Sequence, residues 1–131
     1  MATLEEFGVL LEINAQTFRL VRNMRANANG YITRANTGGT NLVALGSEMK
    51  SDAQAFLVRI QTMTDIVQRN QPLVSNAVAI IGVTLAQLNA LKTQLTDTAN
   101  HVIATTLTAQ AQIVAEGNFI LANTPNYDGL F

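Results

Sequence analysis

NLVALGSEMKSDAQAFLVRIQTMTDIVQR, residues 41–69, is the stretch whose reading decides the fold. Its apolar residues recur at Leu42, Leu45, Met49, Ala53, Phe56, Ile60, Met63 and Val67. Steps of three and four keep these side chains on one helical face, the seam pattern of bundles and coiled coils. The stretch predicts one helix over 41–69, and such a seam is buried by helical neighbours.

Upstream, Thr3 and Glu6 have capping-box spacing, so a first helix is expected to begin there. Leu4, Phe7, Leu11, Phe18 and Val21 form its stripe, with Asn14 inside it, and Leu10, Ile13, Leu20 and Met24 widen the face. Asn27, Asn29 and Gly30 tolerate left-handed backbone, which predicts a helix end near residue 28. Tyr31 to Thr40 (YITRANTGGT) then lacks a helical period and contains Gly38-Gly39, which predicts a loop.

Downstream, Pro72 disfavours helix at Gln71 and suits the first turn of a new helix. A second long stripe follows: Val74, Val78, Ile81, Leu85, Leu88, Leu95, Ala99, Val102, Ala109 and Ile113, with Lys92 and Thr106 at seam positions. Two readings stay open. One is a single helix over 73–116, about 68 Å long at 1.5 Å per residue against about 44 Å for 41–69, whose far end another subunit would cover. The other breaks at Thr96-Asp97-Thr98-Ala99-Asn100 into helices 73–96 and 98–116. Gly117-Asn118 ends the pattern. Residues 118–131 then read as a non-helical tail that docks through Phe119, Ile120, Leu121, Tyr127, Leu130 and Phe131. The expected architecture is all-α, an elongated bundle of three or four helices in one domain, 1–131.

Composition narrows the function classes. Hydrophobic residues make up 48% of the 131, aromatics 5% and charged residues only 13%, and Cys and Trp are absent. Globular domains carry about twice that share of charge. A net charge of -1 gives little repulsion between copies. Without Cys there is neither a disulfide framework nor a thiolate metal site. The acidic start Met1-Ala2-Thr3-Leu4-Glu5-Glu6 is unlike a secretory signal, so synthesis in the cytoplasm without a signal peptide is expected.

Catalysis is poorly provisioned. His101 is the one histidine, and the residues three and four away are Asp97, Thr98, Ala104 and Thr105, too few donors for a metal site. Its expected role is a hydrogen bond beside Asp97. Gly38-Gly39 lacks phosphate-loop spacing and follows no strand. Glu48 and Asp52, four apart, read as a solvated face. No catalytic residue, cofactor, metal or small-molecule substrate is expected.

Three non-enzymatic readings remain. The leading one is a structural or assembly subunit in a homo-oligomer or with other structural proteins. Its seam residues are Leu42, Leu45, Met49, Phe56, Ile60, Met63, Val74, Val78, Ile81, Leu85, Leu88 and Leu95. In composition the chain is similar to polymerising and virion-forming helical subunits, flagellin-type filaments and bacteriophage head, neck or tail components among them. A second reading is a membrane-active helical protein. The stretch Asn70 to Leu91 is uncharged and long enough to span, yet insertion would place Ser75, Asn76, Thr84, Gln87 and Asn89 in hydrocarbon. The third is nucleic-acid contact through Arg19, Arg22 and Arg25, three apart on the first helix, with Arg34 beyond them. An acidic chain with few aromatics weakens it.

Overall fold

In a computed structural model of the protein, residues 4–69 and 85–126 are described. They form four helices and no strand: α1 (Leu4–Ala35), α2 (Leu42–Arg69), α3 (Leu85–Ala104) and α4 (Gln110–Ala122). The expected cap at Thr3, the seam positions Val74, Val78 and Ile81, and the tail residues Tyr127, Leu130 and Phe131 lie outside the described residues. So do the side chains of Met63, Leu85 and Leu88.

Neighbouring helices run in opposite directions. Tyr31 and Arg34, late in α1, meet Asp52 and Glu48, early in α2. Lys50 meets the carbonyls that end α3. Gln110 at the start of α4 donates to Asn36 just past α1 at 2.9 Å, and Arg25 in mid-α1 reaches Leu121 and Thr124 at the other end of α4. The closest pairs are α1 with α4 and α2 with α3, and α1 against α2 joins them.

The core has two parts. Ala28, Tyr31 and Ala35 of α1, Leu45, Met49 and Ala53 of α2, Ala99 and Val102 of α3, Leu107, and Ile113 and Ile120 of α4 form the larger cluster. Leu20, Val21 and Met24 of α1, Phe56 and Ile60 of α2, and Leu91 and Leu95 of α3 form the second, which includes no α4 residue. The seam Leu45, Met49, Ala53, Phe56, Ile60 of α2 is thus buried within the chain along both.

Three helix boundaries differ from the sequence expectation. The loop expected from Tyr31 is helical to Ala35, because Ala28, Tyr31 and Ala35 are all buried on one stripe and packing outweighs the glycine and asparagine propensities. Residues 96–100 do not break α3. Thr98 is buried, and its hydroxyl donates to its own helix at Gln94 O, 2.7 Å away. The break falls instead at 105–109, which excludes one helix over 73–116. There Gln112 Oε1 accepts from the backbone of both Thr108 and Ala109 at 3.0 Å, closing the start of α4. Finally, α4 runs through Gly117 to Ala122, so Phe119, Ile120 and Leu121 belong to a helix and not to a tail. A Cβ at Gly117 would lie 2.5 Å from Ile32 Cγ1 and 3.2 Å from the Ala28 carbonyl oxygen. The glycine there marks the close approach of α4 to α1.

Start signals at α2 agree with the expected helix. Asn41 Oδ1 accepts from Ala44 N at 3.1 Å, and Asn41 O accepts from Leu45 N at 3.0 Å, as an N-cap does. Before it, Gly39 takes φ 82°, a left-handed value that glycine adopts without strain.

Gly46 marks another close approach. A Cβ there would lie 1.7 Å from the carbonyl oxygen of Leu107, so α2 meets the 105–109 connection backbone to backbone. Gly46→Ala is therefore expected to lower stability by about 1–3 kcal/mol, as overpacking does. Gly38→Ala, whose Cβ meets nothing within 4 Å, serves as the reference. Equal melting temperatures for the two variants would show that this contact does not constrain the fold.

Candidate functional site

The arginine stripe is where sequence most directly suggests a ligand. Arg25 Nη1 donates to Leu121 O at 2.8 Å, Thr124 O at 2.9 Å and Thr124 Oγ1 at 3.1 Å. The last carbonyls of a helix have no partners of their own and carry partial negative charge, so this cation closes the C-terminal end of α4. Thr124 is buried and in turn donates to Ile120 O at 2.7 Å. Arg34 lies on a different flank and holds Glu48 with both nitrogens, at 3.0 and 2.6 Å. Arg19 and Arg22 also have interactions within the molecule. The stripe is therefore not gathered into one outward cationic patch: Arg25 and Arg34, expected at a phosphate-facing surface, are held by α4 and by Glu48.

Lys50 repeats the device on α3. Its Nζ donates to Ile103 O and Thr105 O at 2.6 Å and to Val102 O at 3.4 Å. Since α3 ends at Ala104, the ammonium sits among its terminal carbonyls.

Glu48 is exposed, as the expected solvated face requires, and Asp52 is half-buried, but both are engaged by α1. The half-exposed Arg34 guanidinium pulls the Glu48 carboxyl below its ordinary value, chiefly through the hydrogen bond. The same bond raises Arg34. Asp52 accepts a hydrogen bond from the hydroxyl of buried Tyr31. Burial, then that hydrogen bond, then the charges of Asp52 and Glu48 push the Tyr31 phenol far above its usual value.

His101 has a different partner from the expected Asp97. Its Nδ1 lies 2.6 Å from Oε1 of Glu116, fifteen residues on. The Glu116 carboxylate is almost fully buried while the histidine side chain is 46% exposed. The ring stacks on Phe119 with centroids 3.9 Å apart and planes 17° from parallel. Thr105 Oγ1 donates to the His101 carbonyl at 2.6 Å, which places that hydroxyl in the end of α3. This group ties α3 to α4: the carboxylate orients the ring and the ring covers the carboxylate. Glu116 was invisible as a partner because its pairing depends on the turn at 105–109.

Elsewhere, α1 and α2 flank a groove of about 320 Å³ lined by Gln16, Arg19, Leu20, Asn23, Arg59 and Thr62. The Arg59 guanidinium lies 5.6 Å from the centre of the Phe56 ring. Among the described residues no group of three or more acidic, His or Cys side chains could hold a metal ion. No described helix is long and apolar enough to cross a membrane, and most of the 70–91 stretch lies outside the described residues. No family model matches the chain, and neither a curated protein nor a solved structure is significantly similar to it.

Two measurements follow. Lys50→Met keeps the aliphatic stem and removes the charge, and is expected to lower stability by about 1.5–3 kcal/mol, with faster amide hydrogen exchange in the connection at 105–109. Unchanged exchange there would mean that the ammonium does not hold it. For Tyr31, folding favours the protonated phenol, so its contribution is complete below about pH 10 and is lost as pH rises above that. Between about pH 9.5 and 11.5, chemical-denaturation stability should fall more steeply in the parent than in Tyr31→Phe. Parallel curves would remove Tyr31 as the cause.

Proposed function

We propose that this chain is a non-enzymatic structural subunit that packs into a homo-oligomer or a larger protein assembly. Bacteriophage particles, in head, neck or tail, are the setting whose helical subunits its composition resembles. The carrying observation is the character of the outward faces. On α4 the exposed residues are Gln110, Ala111, Gln112, Ala115, Asn118 and Ala122, and its one charged residue, Glu116, is buried. Among the described side chains of α3, those of residues 89–104, the exposed ones are small or amide-bearing apart from Asp97 and His101. On α2, Val43 and Val58 are 59% and 68% exposed.

A protein that stays alone in water usually surrounds itself with mixed charge. Here Arg25, Arg34, Glu48, Lys50, Asp52 and Glu116 are all engaged within the chain. The exposed faces described for α3 and α4 carry few charges, with amides and hydroxyls able to hydrogen-bond across a contact, and little electrostatic cost opposes bringing two of them together. The nucleic-acid reading is weakened by the internal engagement of Arg25 and Arg34.

Molar mass in solution, measured by light scattering over a concentration series, tests the proposal. The expected result is a multiple of the chain mass. A single-chain mass at every concentration would overturn it.

A further inference from the structure

Asn29-Gly30 forms a weak turn inside a long helix. Of the asparagines in the chain only Asn29 is followed by glycine. Gly30 lies within α1, where glycine weakens a helix relative to alanine. Neither reason that calls for the other glycines applies to it. Its φ is not positive, unlike that of Gly39, and a Cβ there would meet nothing within 4 Å, unlike those at Gly46 and Gly117. Asn29 is exposed and Gly30 half-buried.

An Asn-Gly pair carries chemistry of its own. The Gly30 amide nitrogen can attack Cγ of Asn29, since glycine has no Cβ to hinder the approach. A new C–N bond closes a five-membered succinimide, and the side-chain nitrogen leaves as ammonia with the proton that the attacking nitrogen gives up. Water then opens the ring at either carbonyl, giving aspartate or isoaspartate. Water is the one co-reactant.

Helical geometry opposes the first step. In a helix the Gly30 N–H donates to the carbonyl four residues back, that of Ala26. The helical backbone angle at Asn29 also holds that nitrogen out of line with the side-chain carbon. The turn is kept wound from its inner side, where Ala28 and Tyr31 are buried. Ala28 lies beside Gly117 of α4, and Tyr31 is bonded to Asp52 of α2.

We infer that Asn29-Gly30 is a self-modification site gated by the docking of α4 and α2 on α1. The wound turn withholds the nitrogen, and the reaction proceeds from chains in which this part of α1 has opened. An isoaspartate carries an extra carbon in the main chain, which breaks the regular ladder of helical hydrogen bonds. Conversion thus makes a reversible opening permanent, at a point between Arg25, which holds α4, and Tyr31, which holds α2.

The test incubates the full chain at mildly alkaline pH, with and without denaturant, and follows conversion at each asparagine by peptide mapping and mass spectrometry. In denaturant, Asn29 is expected to convert ahead of the other asparagines, and in the native chain at least about tenfold more slowly than in denaturant. Arg25→Met, which unhooks the end of α4, and Tyr31→Phe, which removes the bond to Asp52, should each raise the native rate and leave the rate in denaturant unchanged. Gly30→Ala should slow conversion in denaturant severalfold and raise the melting temperature, since there is room for the methyl group. Conversion in denaturant no faster at Asn29 than at the other asparagines would remove the site. Equal rates in native and denatured chains would show that α1 does not gate it. Native rates unchanged in both Arg25→Met and Tyr31→Phe would overturn control by the neighbouring helices.

Discussion

Cationic side chains closing helix C-termini are the interaction on which the arrangement of the bundle depends. Lys50 of α2 gathers the carbonyls of Ile103 and Thr105, and Arg25 of α1 gathers those of Leu121 and Thr124. In each case a donor from one long helix meets the unpaired acceptors that end a partner helix, where the partial negative charge is concentrated. Apolar seams can slide by a turn and still be buried. A point charge held by two or three carbonyl oxygens cannot, so these contacts set the register in which α3 lies on α2 and α4 on α1. Gly46 and Gly117 supply the complementary constraint, because backbones approach so closely at these positions that a methyl group would collide with Leu107 or Ile32.

This use of charge explains the low charge count without any appeal to a ligand. The ionic residues of an ordinary globular surface mainly solvate it, and a surface ion pair contributes little. Here the small set acts chiefly as fasteners: Arg34 on Glu48, Asp52 on Tyr31, Glu116 on His101. The buried Glu116 is tolerated because His101 accompanies it and Phe119 shields the ring. What remains outside is largely alanine, threonine, asparagine and glutamine.

The legibility of the sequence followed the range of the forces involved. The α2 helix from Leu42 to Arg69 was readable almost to the residue, since one uninterrupted seam and one asparagine cap are local signals. The ends of α1 and α4 were not, because Gly30 and Gly117 look like terminators until the surfaces packed around them are known. Tyr31 belongs to a helix on account of Asp52, and α4 continues past Gly117 on account of α1. The hydroxyls at Thr105, Thr106 and Thr108 with Gln112 carried a signal for the true break, but they compete with an apolar stripe whose phase hardly changes there. At the site level the arginines stood out as a stripe, while their acceptors did not, since backbone carbonyls at residues 121 and 124 leave no mark in composition. The pairing of His101 was similarly hidden by a turn that had to be placed first.

The pairing of α1 with α4 also imposes an order in time. Arg25 and its carbonyl partners are separated by 96 and 99 positions along the chain. During synthesis the flank of α1 around Ala28 and Ile32 stays without its cover until residues near 124 have emerged, long after α1 and α2 are able to meet. A nascent chain stalled before α4 would expose this strip to the solvent or to a neighbouring nascent chain. Delayed covering of an early helix by a late one is thus a property of this topology, and it makes the interval before α4 docks the period of greatest exposure to mispairing.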